Sequence, residues 1–66
     1  MQIYVNGEEK QIADATDMAI LIDLMQLAGQ RIAVEVNEEL VPRSTFAGHQ
    51  LHENDRIEII HAVGGG

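Results

Sequence analysis

The dipeptide Asn6-Gly7 limits the possible folds of this chain more than any other feature, because it demands a tight turn directly after a strand-like run. Met1, Ile3 and Val5 alternate with polar or amphipathic residues, a pattern that is typical of a strand with one buried face. A type I′ turn requires positive φ at both central residues, and Asn-Gly adopts it readily. Residues 8–12 then form the return strand. The sequence therefore predicts an opening β-hairpin over residues 1–12.

A helix is predicted after this hairpin, beginning within two residues of Asp17. Thr16 is the candidate N-cap, and Asp17 would lie in the first turn, where the helix dipole favours negative charge. One helical stripe is formed by Ile20, Leu21, Leu24, Leu27 and Ala28. Gly29 is the expected stop. Three more apolar residues are interpreted as the edge of the core, or alternatively as a contact surface: Met18, Ile22 and Met25.

The remainder of the chain reads as strands joined by turns. Residues 31–37 alternate with Ile32, Val34 and Val36 inward, and a short strand at residues 40–41 ends at Pro42. A single turn over residues 44–47 would place Phe46 in the core, and the last strand begins at Arg56 and runs to residues 62–63. This order predicts a single α+β domain over residues 1–66. One helix packs on one face of a mixed sheet of four or five strands, with the first and last strands adjacent at its centre, as in the ubiquitin-like β-grasp fold.

Length and charge exclude several classes of function. Ordering a residue costs about 1.5 kcal/mol of conformational entropy. A domain of 66 residues therefore has little stabilising free energy left to maintain an active-site cavity. A net charge of −7 disfavours nucleic acid and anionic membranes as partners and favours a basic protein surface. Residues 1–15 show no signal-peptide pattern, and the longest apolar run, residues 18–22, is too short to span a bilayer. We expect a cytoplasmic binding partner of other proteins rather than an enzyme.

The chain closes with Gly64-Gly65-Gly66 directly after a strand. Terminal glycines also occur as disordered ends or as remnants of expression tags. After a folded body, however, residues 63–66 would form a flexible, slim tail that extends about 13 Å and ends in a carboxylate. Such a tail can enter a narrow cleft in another protein, a mode of binding that captures the C-terminal carboxylate.

Five segments in order along nearly the whole chain carry a family resemblance: Met1-Gln2-Ile3-Tyr4-Val5-Asn6-Gly7-Glu8, Ile32-Ala33-Val34-Glu35-Val36-Asn37, Leu40-Val41-Pro42-Arg43, Asn54-Asp55-Arg56-Ile57-Glu58-Ile59 and Ala62-Val63-Gly64-Gly65-Gly66. Together they resemble the ThiS family, the sulfur carriers of thiamine biosynthesis. Two departures are visible. Glu38 stands where the family often has glycine, and the helical segment is slightly long.

The resemblance implies a carrier that acts as a sulfur-donating co-substrate and binds no cofactor itself. An E1-like adenylating enzyme (ThiF-type) would activate the Gly66 carboxylate with ATP and Mg²⁺. Persulfide sulfur would then displace AMP, and the Gly66 thiocarboxylate would deliver sulfur to a thiazole synthase (ThiG-type). The chain has no cysteine, so this sulfur has no side-chain thiol to occupy.

Alternation along the last strand separates two faces. Ile57 and Ile59 point inward, whereas Ile60 and Ala62 point away from the helix. We therefore expect Ile60, Ala62 and Val63 to form the surface that docks on the partner enzymes, although scattered exposed aliphatic residues are also common on protein surfaces.

Other interpretations remain open at this point. Three histidines, His49, His52 and His61, invite a metal site, but their spacing is loose and no cysteine supports it. The chain could carry sulfur for another pathway, such as the molybdenum cofactor or tRNA thiolation. It could also be a ubiquitin-like protein modifier, or a β-grasp interaction module with a passive tail.

Overall fold

The computed structural model describes residues 1–62, which form a five-stranded mixed sheet with one α-helix. Its elements are β1 (Gln2–Val5), β2 (Glu8–Gln11), α1 (Met18–Leu24), β3 (Ile32–Val36), β4 (Glu39–Val41), a 3-10 helix (Arg43–Thr45) and β5 (Arg56–His61). The strands lie in the order β2-β1-β5-β3-β4, with β1 parallel to β5 and every other pair antiparallel. The predicted sheet, with the first and last strands adjacent at its centre, is confirmed. The predicted tail, residues 63–66, lies outside the described residues.

Two turns of the same type build the outer hairpins of this sheet. Asn6 and Gly7 have φ of 51° and 83°, so the predicted type I′ turn between β1 and β2 is confirmed. Asn37 and Glu38, with φ of 51° and 72°, join β3 to β4 in the same way. A glutamate thus occupies a left-handed position that glycine adopts without steric cost.

A single apolar cluster lies between the sheet and α1. It consists of Ile3, Val5, Met18, Leu21, Ile22, Val34, Val36, Val41, Phe46, Leu51, Ile57 and Ile59. The inward positions predicted for Ile57, Ile59 and Phe46 are therefore confirmed. The 3-10 helix places Phe46 against α1, because the Phe46 carbonyl accepts a hydrogen bond from the Ala19 amide at 3.1 Å.

The start of α1 was predicted to within two residues, but its cap was assigned to the wrong side chain. Asp17, not Thr16, is the N-cap, and its carboxylate accepts hydrogen bonds from the amides of Ile20 at 2.9 Å and Gly48 at 3.1 Å. The Thr16 hydroxyl instead donates to the Ala13 carbonyl at 2.6 Å. Since the carboxylate binds amides on two segments, it both caps α1 and ties it to the loop before Leu51.

The helix also ends before the predicted stop at Gly29. Gln26 adopts φ of 60° and its amide donates to the Asp23 carbonyl at 2.9 Å. The Leu27 amide donates to the Ile22 carbonyl, also at 2.9 Å. These two bonds form a Schellman motif with glutamine in the left-handed position that glycine usually occupies. No helix in the described part of the chain is both long and apolar enough to cross a membrane.

The buried face of α1 differs from the predicted stripe. It is formed by Met18, Leu21 and Ile22, with Met25 partly buried beside them, which confirms that these methionines and Ile22 belong to the core. Of the predicted stripe, Leu27 is partly buried, whereas Ile20, Leu24 and Ala28 are exposed. Apolar residues surround most of this short helix, so periodicity alone allows more than one face. The anchoring of Asp17 helps to set which face meets the sheet.

Candidate functional site

The end of β5 is held on both sides up to the last described residue. The Asn6 side chain accepts a hydrogen bond from the Ile59 amide at 2.8 Å and donates one to the Ile59 carbonyl at 3.3 Å. On the other side, the Ala62 amide donates to the Arg31 carbonyl at 2.9 Å. The sheet therefore fixes the position from which residues 63–66 continue.

Two of the predicted docking residues are expected on the sheet surface that faces away from α1. Ile60 is 56% exposed although it belongs to β5, the central strand of the sheet. Ala62 is also exposed and would share this face by alternation. The predicted outward orientation of Ile60 is confirmed, while the orientation of Ala62 and the docking role of both residues stay predictions. Val63 and the predicted sulfur-carrying tail, Gly64, Gly65 and Gly66, lie outside the described residues.

The same face carries an apolar residue that the sequence analysis missed. Leu40 on β4 is 68% exposed, because Val41 beside it points into the core. Ala33 lies directly opposite Ile60 on the neighbouring strand and is also exposed. Alternation around Val41 was the signal that could have identified Leu40. We call the surface formed by Ala33, Glu35, Leu40, Glu58 and Ile60 the outer face.

Two acidic residues lie side by side on the outer face. Glu35 on β3 is paired directly with Glu58 on β5. Like charges in opposed positions of neighbouring strands destabilise a sheet. The pair places two carboxylates between the apolar residues Leu40 and Ile60, and Arg56, two residues before Glu58 on β5, adds one positive charge to the same face.

The three histidines are divided between two places. His49 and His52 line an open surface depression of about 330 Å³, together with Asp55. His52 Nδ1 lies 3.9 Å from the Asp55 carboxylate. His61 lies at the end of β5, where its Nε2 is 3.0 Å from the side-chain oxygen of Gln30. Among residues 1–62, no three or more His, Asp or Glu side chains come together in a way that could hold a metal ion.

Comparison with known proteins agrees with this architecture. The sequence matches the model of the ThiS family over residues 3–66. A thiazole synthase of Magnetococcus marinus is 36% identical over 66 residues, which cover 100% of this chain and 20% of that protein. The chain thus spans about a fifth of the length of the thiazole synthases that it matches.

Similarity extends over the full length of two smaller proteins. The sulfur carrier protein ThiS of Bacillus subtilis is 32% identical over 65 residues, covering 97% of this chain and 98% of that protein. The crystal structure of the thiamine biosynthesis protein ThiS from Geobacter metallireducens superimposes with a TM-score of 0.86 at 26% identity, covering 100% of both chains. The chain belongs to the ThiS family.

Proposed function

We propose that this chain is a sulfur carrier whose Gly66 carboxylate becomes a thiocarboxylate that donates sulfur for thiazole formation in thiamine biosynthesis. The observation that carries the proposal is the family match over residues 3–66, since it includes the three terminal glycines. The full-length similarity to a protein named as a sulfur carrier supports the same function.

Activation of the carboxylate is the first chemical step. An α-carboxyl has a pKa of about 3.3–3.7, so it is an anion at neutral pH and resists nucleophilic attack. In the proposed reaction, a Gly66 oxygen attacks the α-phosphorus of ATP, and pyrophosphate leaves with its bound Mg²⁺. The product is an acyl-adenylate. ATP and Mg²⁺ are substrates of the adenylating partner (ThiF-type) rather than ligands of this chain.

Sulfur enters in the second step. The terminal sulfur of a persulfide attacks the acyl carbon, so a C–S bond forms and AMP leaves. A thiol then attacks the remaining S–S bond, which produces a disulfide and releases the Gly66 thiocarboxylate. This chain contains no cysteine, so the persulfide and the attacking thiol must both come from partner molecules. Carriers of this kind supply the reactive end, while their partners supply the catalytic groups.

A thiazole synthase (ThiG-type) is the proposed acceptor of the sulfur. Two proteins named thiazole synthase contain a segment that is similar to the whole of this chain. A carrier and a synthase that occur within one polypeptide support an interaction between the corresponding separate proteins. We expect the complete cycle to take place in the cytoplasm, where ATP is available for adenylation.

The outer face is the proposed docking surface for these partners. Ile60 and Leu40 offer exposed apolar area, and Glu35 and Glu58 add negative charge between them. An apolar surface bordered by basic side chains is the expected complement. Ala62 and Val63 would extend the contact toward the tail. Because glycine has no Cβ, residues 64–66 can pass through a narrow channel into more than one active site.

The experiment combines the chain with its cognate adenylating enzyme, ATP, Mg²⁺ and a persulfide source, and measures the intact mass. We expect a mass increase equal to the exchange of one oxygen for sulfur, located on Gly66 by fragmentation. Omission of ATP is the control and should abolish the increase. No ATP-dependent increase would contradict the proposal, and isopeptide-linked conjugates with other proteins would instead indicate a protein modifier.

A further inference from the structure

Two arginines lie beside the position where the chain leaves the described structure. The Arg31 carbonyl accepts a hydrogen bond from the Ala62 amide at 2.9 Å. The Arg43 guanidinium donates to the carbonyl of Gln30, the residue next to Arg31. The Arg31 backbone and the Arg43 guanidinium therefore lie at the corner of the fold from which residues 63–66 continue, and the Arg31 side chain is exposed there.

This corner differs in charge from the rest of the molecule. The chain has 11 acidic residues and only four lysines and arginines, and two of those four lie here. Within residues 1–62, neither Arg31 nor Arg43 forms an ion pair with a carboxylate. The other two cations lie elsewhere, Lys10 on β2 and Arg56 at the start of β5. The corner is thus a local positive site on a protein of net charge −7.

The local structure holds one of these guanidinium groups in place. Gln30 donates from its amide to the Leu27 carbonyl at 3.1 Å and from its side chain to the Gln26 carbonyl at 3.2 Å. Arg43 is thereby attached to the turn that follows α1. One guanidinium nitrogen makes the Gln30 contact, and a guanidinium has five N–H donors in all. Donors remain for a paired contact with a carboxylate, and less side-chain entropy is lost when it forms.

We propose that Arg31 and Arg43 form a cationic collar that docks against acidic side chains at the entrance of the adenylating enzyme's tail-binding cleft. The inference rests on the proposed sulfur-carrier function and adds the partner chemistry at the base of the tail. Four fully extended residues span at most about 13 Å, so a collar at the base of such a tail would meet the rim of the cleft and not the reacting carboxylate. The two arginines are therefore positioning residues.

The collar and the Glu35–Glu58 pair of the outer face have opposite charge. A partner with basic groups opposite Glu35 and Glu58 and acidic groups opposite the collar can bind in only one rotation. Complementary charge of this kind gives orientation and association rate more than affinity. The chain's own C-terminal carboxylate is a poorer occupant of the collar. Ordering three glycines costs more conformational entropy than an exposed ion pair returns.

The test is a binding titration of the unmodified chain with its adenylating enzyme in the absence of ATP. It compares wild type with Arg31→Gln, Arg43→Gln, the double variant, and Lys10→Gln, which removes the same charge on β2. We expect each collar variant to weaken binding about two- to fivefold at low ionic strength. The loss should appear mainly in the association rate and should largely vanish at about 0.5 M salt, where exposed charges are screened. Lys10→Gln should bind as wild type does.

Two results would overturn the collar. Equal weakening by Lys10→Gln would show an effect of total charge, and unchanged binding of the collar variants at low salt would show that no acidic rim meets them. If Arg43→Gln lowers the melting temperature, Arg31→Gln alone decides the question. Since the titration needs no chemistry, a wild-type chain that binds but gains no sulfur contradicts the proposed function and leaves the collar to be judged by its own titration.

Discussion

Ile59 and Ile60 are consecutive residues with opposite environments. Ile59 lies in the core and is 7% exposed, whereas Ile60 lies on the outer face and is 56% exposed. Because side chains alternate along β5, Ile59 contributes to the stability of the core, whereas Ile60 is available for contact with a partner. A matched pair of substitutions can separate these two roles.

Ile60→Asp should fold and should bind the adenylating enzyme about tenfold or more weakly, because a charge would replace an apolar anchor at the centre of the contact. Ile59→Asp should not fold, since burying an unpaired carboxylate costs several kcal/mol. Circular dichroism melts and a binding titration measure the two effects.

Leu24→Asp is the control for the first prediction, because Leu24 is 63% exposed on α1, on the opposite side of the sheet. It should leave binding unchanged. If Ile60→Asp unfolds, the side chain contributes to the core. If it folds and binds normally, the outer face is not the docking surface.

Glu38→Gly should stabilise the protein. Glu38 has φ of 72°, which costs an L-residue about 1–2 kcal/mol. Glycine removes this strain, but it loses more backbone entropy on folding, which cancels part of the stabilisation. We expect a net gain of about 0.5–1 kcal/mol in the free energy of unfolding, measured in urea. Glu38→Ala removes the same charge but keeps the Cβ. An equal gain from alanine would show that charge repulsion, and not backbone strain, is relieved.

Asp17 makes part of the stability dependent on pH. Hydrogen bonds from the Ile20 and Gly48 amides hold the pKa of its carboxyl below the ordinary value of 3.8. The charged form is therefore favoured in the folded state. Its contribution is present above the unfolded pKa and is lost as pH falls through the lower folded pKa. The stability difference between wild type and Asp17→Asn should be constant above about pH 5 and shrink below it.

Urea unfolding between pH 3 and 7, together with an NMR titration of the Asp17 carboxyl, measures this dependence. Asparagine can still accept the Ile20 amide, but its NH₂ group cannot accept the Gly48 amide, so the charge and one contact are removed together. A difference that widens toward acid pH, or an Asp17 pKa at or above 3.8, would contradict the assignment.

Local sequence patterns predicted the elements that depend on neighbouring residues. Asn6-Gly7 can satisfy a two-residue hairpin with little strain, so the first turn followed from the residue types alone. The alternation after Arg56 correctly placed Ile60 on the outer face because a strand has a strict period of two. These patterns were sufficient for the central position of the first and last strands and for the outward orientation of Ile60, while its docking role stays a prediction.

Long-range contacts account for part of what the sequence did not reveal. Asp17, the N-cap of α1, is bound by the Gly48 amide, 31 residues away, and this contact is not visible in the periodicity of the helix. The end of α1, in contrast, is local: Gln26 adopts positive φ, and because glutamine rarely does so, its residue type did not predict that the helix stops there. The contact between Arg43 and Gln30 joins segments that are 13 residues apart, so neither arginine stood out as part of a site.

In the proposed mechanism, the C-terminal carboxylate of Gly66 is the reacting group. Deleting Gly66 moves that carboxylate back by one residue, about 3.5 Å, and adding an alanine after Gly66 moves it forward. A displacement of about 1 Å can lower a rate a hundredfold. Both variants should keep the melting temperature of the wild type, because neither change touches the core, and both should still bind the adenylating enzyme.

The decisive measurement is the rate at which wild type, the Gly66 deletion and the alanine extension exchange one oxygen for sulfur, followed by intact mass with ATP, a persulfide source and the adenylating enzyme. We predict rapid exchange for wild type and a reduction of about a hundredfold or more for both variants. Equal loading of all three proteins would show that the terminal carboxylate is not the reacting group and would contradict the sulfur-carrier mechanism.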